Sequence, residues 1–284
     1  MRYKLFRYIL FIVPLYFLWQ ACDGDDPSVN ASRLRLKLTD ATSLVLKEFH
    51  VDIKEISVFL VDTVSNEGEW KTLEFSGKSY DILKLTNGKT VQLVDQYVPA
   101  GTKLQQVKLL FGDDNRMVTN TNNVISLHIP TELQGGIVID VIGMEMRLNT
   151  ISSMIIDLNA AFSFRELNGT YFLYPEARAF PETYGGKLKG QVAPIEASPS
   201  VAIVHEKDTF YTFPVRETFE AKTAMFQFIG LKAGEWEIHV FAHPESKFKD
   251  TVFVSNVEEG KTTDITSIIQ LKIIPTDPPT DPAE

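Results

Sequence analysis

"RLRLKLT", residues 33–39, alternates strictly: Leu34, Leu36 and Leu38 fall on one side and Arg33, Arg35 and Lys37 on the other. Only a strand, with its side-chain period of two, separates them so cleanly, so one face is predicted to enter a core and the other to meet water. "VDIKEISVFLVD" (residues 51–62) keeps the same period but slips phase across Lys54 and Glu55, with Val51 and Ile53 before the slip and Ile56, Val58 and Leu60 after it. One extra residue in the strand restores the buried face, so a β-bulge is expected there.

Working outward, "TVQLVDQYV" (90–98), "LQQVKLLF" (104–111), "NVISLHI" (123–129), "GIVIDVIGMEMRL" (136–148), "SMIIDLNAAFSF" (153–164) and "TYFLYPEARAF" (170–180) read as further strands. The last two flank Asn168 and Gly169, a pair that tolerates positive φ and signals a tight hairpin. "VPAG" (98–101) and "GDDN" (112–115) mark two more turns. Helix signals are confined to "ATSLVLKEF" (41–49) and "YDILKL" (80–85). A short hinge rich in Pro and Gly, residues 181–186, then precedes a second series: "GKLKGQVAP", "PSVAIVHE", "FQFIGL", "GEWEIHVFAHP", "DTVFVSNV" and "ITSIIQLKII". Strands at roughly ten-residue spacing predict a second small sandwich. The expected class is all-β: two β-sandwich domains in tandem, over residues 32–181 and 185–274, closed by a Pro/Thr/Asp tail at 275–284 with nothing to bury.

Upstream, Arg2, Lys4 and Arg7 precede an apolar run from Tyr8 to Trp19 that ends at Ala21 and Cys22. A run of this length reaches only about 18 Å as a helix against a hydrocarbon core of about 30 Å. The order fits a cleaved export signal over residues 1–21, followed by an acidic tether over 22–31. Cys22 is the chain's single cysteine, which leaves no disulfide framework. A net charge of −9 argues against a nucleic-acid surface, and a hydrophobic content of 44% is enough for one large or two modest cores.

The end of the apolar run resembles the bacterial lipoprotein signal, with a small residue, Ala21, directly before the cysteine that becomes acylated; Trp19 and Gln20 depart from the usual pattern. That resemblance implies lipidation of Cys22 and a membrane partner through its lipid. Asp23, Asp25 and Asp26 resemble the signal that sends Bacteroidota lipoproteins to the cell surface, which implies an outer-membrane, outward-facing address. "LKLTDA", "VDIKEI", "YDILKLTNG", "VPAG" and "KLLFGDDN" recur in the order of a bacterial lipoprotein family of unknown function, DUF4382, with Thr42 standing where that family usually has proline. The family implies a β-sandwich and supplies no catalytic residues. "GKLKGQV", "FQFIGLKAGEWEIHV" and "VEEGKTTDI" resemble carboxypeptidase-regulatory, transthyretin-like modules, although the usual Asp-x-x-Gly before the "FQF" strand is missing. "DTV" at 62–64 and 250–252 is similar to an O-glycosylation sequon of Bacteroidota, making Thr63 and Thr251 candidates.

Catalytic signatures are sparse. No Gly-x-Ser-x-Gly elbow occurs, and "SGKS" (76–79) has Thr72 where a phosphate loop needs glycine. His239 and His243 have the spacing of a zinc pair on a helix, but their alternating setting is a strand, along which four residues extend about 13 Å. Asp113, Asp114 and Asn115 offer oxygens suited to calcium or, equally, to a turn. Trp236 is in phase with Ile238 and Val240 and is expected in the core, which leaves Trp70, Phe210 and Tyr211 as candidate stacking surfaces for a sugar. The expectation is a protein without enzymatic activity or cofactor, lipid-anchored in the envelope, that binds a glycan, a host or neighbouring surface, or another envelope protein. An inward-facing accessory subunit is the alternative, and a hydrolase using paired carboxylates a minor one.

Overall fold

The computed structural model describes residues 28–41 and 46–275. Cys22, Asp23, Asp25, Asp26, the export signal and the residues after 275 lie outside them. Thirteen strands of the described residues build the first sandwich: β1 (Ala31–Ala41), β2 (Leu46–Asp62), β3 (Gly68–Thr72), β4 (Lys78–Asp81), β5 (Val91–Pro99), β6 (Thr102–Phe111), β7 (Arg116–Thr119), β8 (Val124–Ser126), β9 (Ile137–Met146), β10 (Ile151–Asn159), β11 (Phe164–Leu167), β12 (Thr170–Leu173) and β13 (Ala177–Pro181). The long sheet runs β5-β1-β10-β13-β9-β6-β2-β7-β8, with β3 and β4 also on β2. Only the pair Ala179↔Val141 joins β13 to β9. The leucines of β1 and the aliphatics of β2 bury together in one core.

Leu34, Leu36 and Leu38 are fully buried, as the alternation requires. The bulge is present: β2 pairs Ile53 with Phe111 but Glu55 with Leu110, and both Lys54 and Glu55 are exposed. Asn168 and Gly169 both take positive φ in the β11–β12 hairpin. That hairpin is only the tip of the two stretches expected as strands, because a 3-10 turn over Ala160–Phe162 and the segment before Ala177 interrupt them. "YDILKL" contributes a 3-10 turn, Ile82–Leu85. The other helix expectation is corrected over its described part, since Leu46–Phe49 opens β2 and buries Phe49 in the core.

Strand β2 changes partner midway, from β6 to β7, and the "GDDN" turn spans the change. Backbone donors at such a switch lose their ladder partners. Asn115, almost wholly buried, supplies one: its Oδ1 accepts the Asp52 N–H at 2.8 Å and its Nδ2 donates to the Gly112 carbonyl at 2.7 Å. Asn115→Ala is expected to lower stability by about 1–3 kcal/mol, the cost of orphaning buried backbone groups, read as a shift of the denaturant midpoint.

The second sandwich has strands β14 (Gly186–Ala193), β15 (Ser200–His205), β16 (Asp208–Thr212), β17 (Ala224–Leu231), β18 (Gly234–Phe241), β19 (Thr251–Val257) and β20 (Thr262–Gln270). Sheet β17-β14-β20 packs on sheet β16-β15-β18-β19 around fully buried Trp236, Phe226 and Ile238. Strand β16 is not among the expected strands. Its presence turns Phe210 inward.

Candidate functional site

The seam between the sandwiches is crossed by long-range polar contacts from two side chains, Arg178 and Asn87. On β13, Arg178 stands opposite Asp157 of β10 in the strand register. Its Nε donates to Asp157 Oδ2 at 2.9 Å, and the ion pair is closest at Nη2, 2.7 Å from the same oxygen. The same guanidinium then crosses the seam, Nη1 donating to Gly230 O at 2.6 Å and Nη2 to Ile229 O at 3.1 Å. Its planar faces lie over Phe180 and Phe210, 4.8 and 4.1 Å from the ring centroids. A lysine has neither the fork nor the flat face for this. Gly230 adopts φ +63, and a Cβ there would fall 2.3 Å from the Phe180 ring, so the turn that presents the two carbonyls needs glycine.

Asn87 closes the other side. It sits at positive φ in the turn after the Ile82–Leu85 segment and reaches into the gap between β16 and β17. Its Nδ2 donates to Phe213 O at 2.7 Å, while Oδ1 accepts from Thr212 Oγ1 and from the Gln227 N–H, each at 3.0 Å. One amide side chain thereby ends the ladders of two strands in the neighbouring sandwich.

Between these latches is a cavity of about 20 Å³, lined by Thr39, Asp40, Asp157, Arg178, Phe210 and Gln227 among others. That is room for about one water and no sugar ring. Asp40 Oδ2 and Asp157 Oδ1 are buried there without a hydrogen-bond partner, although Asp40 Oδ1 accepts the Ala160 N–H at 3.1 Å. Burial pushes the Asp40 carboxyl well above the usual range, and the nearby Asp157 and Asp81 add to the rise. The folded protein therefore holds a proton on Asp40 after the unfolded chain has lost it, so stability falls as pH rises from the ordinary carboxylate range through the raised value. Asp40→Asn removes that slope. Its melting temperature is expected to exceed the wild type's at pH 8 and to match it near pH 4; an unchanged pH slope would contradict the assignment.

A second cluster, which the sequence does not single out, lies on β2 and β4. Glu48, His50 and Asp81 bring ligand atoms within 4.8 Å of one another, the group among the described residues close enough to hold a metal ion. Each is already engaged. Arg116 Nη2 approaches His50 Nδ1 at 3.3 Å, and because arginine only donates, the ring proton sits on Nε2, facing Glu48 Oε2 at 2.8 Å. The hydrogen bond from His50 holds the Glu48 carboxyl below its usual value. Asp81 accepts the Phe49 N–H at 3.2 Å and pairs with Lys84 at 3.0 Å. A metal would have to displace Arg116 and Lys84. The available signal is the i, i+2 spacing of Glu48 and His50 on the outer face of a strand.

The candidate residues nominated by the sequence are not gathered into one site. Phe210 is corrected: it is only 9% exposed, 5.9 Å from the Trp236 ring and capped by Arg178, so it presents no face to a sugar. Tyr211, partly buried, lies 6.4 Å from Phe162 across the seam. Trp70 is exposed on β3 and tilted against Phe59. Asp113 is exposed, Asp114 pairs with Arg116 at 2.6 Å and Asn115 points into the core, so their oxygens diverge. Thr63 is exposed in the turn after β2, with its hydroxyl donating to Gly101 O at 2.7 Å, whereas Thr251 is partly buried at the start of β19. His239 lies on β18 beside Glu237, at 3.2 Å, and His243 is beyond the strand's end.

No curated protein matches the chain. Among solved structures it is similar to the minor pilin GBS52 of Streptococcus agalactiae, at 10% identity over 88% of this chain and 99% of that one, with a TM-score of 0.24. The shaft pilin SpaA of Lactobacillus rhamnosus GG is similar at 8% identity over 87% and 100%, TM-score 0.23. The major pilin BcpA of Bacillus cereus is similar at 8% identity over 86% and 71%, TM-score 0.21. Scores this low decide nothing about the present chain. The match to a protein family is of another kind, since it covers residues 31–175, the whole first sandwich up to the strand that carries Arg178: the chain belongs to the family described as Domain of unknown function (DUF4382).

Proposed function

We propose that this protein is a lipid-anchored cell-envelope component, held in the outer membrane by acylated Cys22 and displayed outward, whose two sandwiches form a non-enzymatic binding or adhesion module. The locked seam carries this reading. Arg178 and Asn87 together donate or accept six hydrogen bonds to groups of the second sandwich or the Asp157 beside it, so the tandem behaves as one strut and not as two beads on a linker. A fixed strut suits a protein that presents a surface at a set distance from its anchor. The second sandwich, with its resemblance to carboxypeptidase-regulatory modules, fits an accessory or spacer role, and Trp70 and Tyr211 remain as aromatic contacts for a glycan. A partner made of nucleic acid does not suit a chain of net charge −9.

Two measurements test the reading. Palmitate labelling is expected in the wild type and lost in Cys22→Ser. Proteinase added to intact cells is expected to degrade the protein, and full protection with the outer membrane intact would overturn outward display. An inward-facing accessory subunit is favoured by one observation, the edge strand β19 with Val252 and Val254 exposed along it, since an unpaired apolar edge suits a protein partner. Crosslinking followed by recovery of a stoichiometric envelope partner would support that reading.

A further inference from the structure

The end of the first sandwich from which the chain leads back to Cys22 is built of four loops tied to one another through the backbone. The Asn30 carbonyl accepts from Ala100 N–H at 3.0 Å, Met146 O from Gly101 N–H at 2.8 Å, Gly101 O from Thr63 N–H at 3.0 Å and Ala31 O from Asn149 N–H at 3.1 Å. Turns are ordinarily polar, and Asn30, Ser65, Asn66 and Asn149 conform. Three positions do not. Val29 is 65% exposed, Val64 90% and Leu148 52%, all on this one linked end. Ser28 is six positions beyond Cys22, a stretch that reaches at most about 20 Å even when fully extended.

We propose that this end is a membrane-docking surface, with Val29, Val64 and Leu148 seated in the headgroup region of the bilayer that holds Cys22; the proposal rests on the lipid-anchor reading. Apolar side chains on a short leash next to a bilayer lower their free energy by leaving water for the boundary between headgroups and acyl chains. The charges around them are mixed. Arg147, highly exposed, pairs with Glu145 at 3.1 Å, and Lys103 and Glu67 are also exposed nearby, so the contact is apolar in character and insensitive to salt. Strand β1 runs away from this end, and Asp40 at the seam is nine residues along it from Ala31, about 30 Å at strand rise. Docking therefore fixes the height of the seam above the lipid.

The docking reading and glycosylation of Thr63 exclude each other, because a glycan beside Val64 would hold the turn off the surface. The test uses the full lipidated chain reconstituted into phosphatidylethanolamine/phosphatidylglycerol vesicles, with a polarity-sensitive dye on Val64→Cys, Leu148→Cys or the distal Val254→Cys. Acylation blocks Cys22 from the label. Blue-shifted emission and quenching by brominated acyl chains are expected at 64 and 148, not at 254, and are expected to survive 0.5 M salt, about five times a salt concentration that already limits charge interactions to roughly 10 Å. Emission at 64 and 148 as water-like as at 254, on protein that floats with the vesicles, would overturn docking while leaving the anchor intact. Failure to float, with Cys22 itself taking up dye, would overturn the anchor reading instead. A glycan found on Thr63 of the native protein would also overturn docking.

Discussion

Replacing Arg178 with alanine is expected to uncouple the two sandwiches and to cost about 3 kcal/mol, the lower end of the penalty for stranding one partner of a buried ion pair, because Asp157 is buried while the Arg178 side chain is 32% exposed. Asp157 is buried, and its Oδ2 accepts the Nε hydrogen bond and pairs with Nη2 at 2.7 Å, so the truncation leaves a carboxylate in the seam with no cation. The carbonyls of Gly230 and Ile229 lose their donor in the same step, and the ring of Phe210 loses the plate that covers it. Calorimetry is the suitable readout. The wild type is expected to melt in one transition and Arg178→Ala in two, with the radius of gyration rising as the sandwiches separate. Arg178→Lys keeps the charge without the fork and is expected to fall between them. A single transition at the wild-type temperature in Arg178→Ala would show that the seam does not depend on this residue.

Trp236→Ala is expected to be at least as damaging, at about 3–5 kcal/mol, but to act on the second sandwich first. The indole is fully buried, stacks on His205 at 4.9 Å, lies against Phe210 and donates its N–H to Lys232 O at 2.9 Å. Removing it leaves a large cavity beside Phe210 and an orphaned carbonyl at Lys232 in the centre of the second core. Amide exchange is expected to lose protection across β14 to β20 while β1, β2 and β10 keep theirs. Phe210 touches both Trp236 and Arg178, so the two variants share a partner and are expected to be non-additive in a double-mutant cycle. Additive effects would mean that the second core and the seam are independent.

What the sequence discloses and what it conceals divide by the range of the interaction. The leucines of β1, the bulge at Lys54 and Glu55 and the Asn168-Gly169 hairpin follow from side-chain period and local backbone preference, and each is legible within a dozen residues. Phase alone is enough to place Trp236 in the core. Strand β16 escapes because "DTFYT" is short, and only its pairing with β15 gives it a direction. Arg178 and Asn87 escape for a different reason. Both bond mainly to backbone groups, at Ile229 and Gly230 or at Phe213 and Gln227, and a carbonyl or an N–H leaves no mark on the residue type that carries it. Asn87 has the look of a turn former, which it is, and nothing local betrays its second task. Likewise the switch of β2 from β6 to β7 has no periodic signature, although Asn115, which repairs it, stands in the "GDDN" turn that the sequence marks.

The parallel pairing of β1 with β10 bears on how the molecule is made. The two meet nine residues long, with Ser32 hydrogen-bonded to Ser152, 120 positions downstream. A chain that emerges from its N-terminus delivers the leucine row of β1 early, and β5 can shelter one edge of it. The other edge has no partner until residue 159 has appeared. Non-local pairing of this kind is slow and leaves sticky strands exposed meanwhile. The positive charges of Arg33, Arg35 and Lys37 along the opposite face of β1 then act as guards against premature association with other chains, a service rendered before any native structure exists.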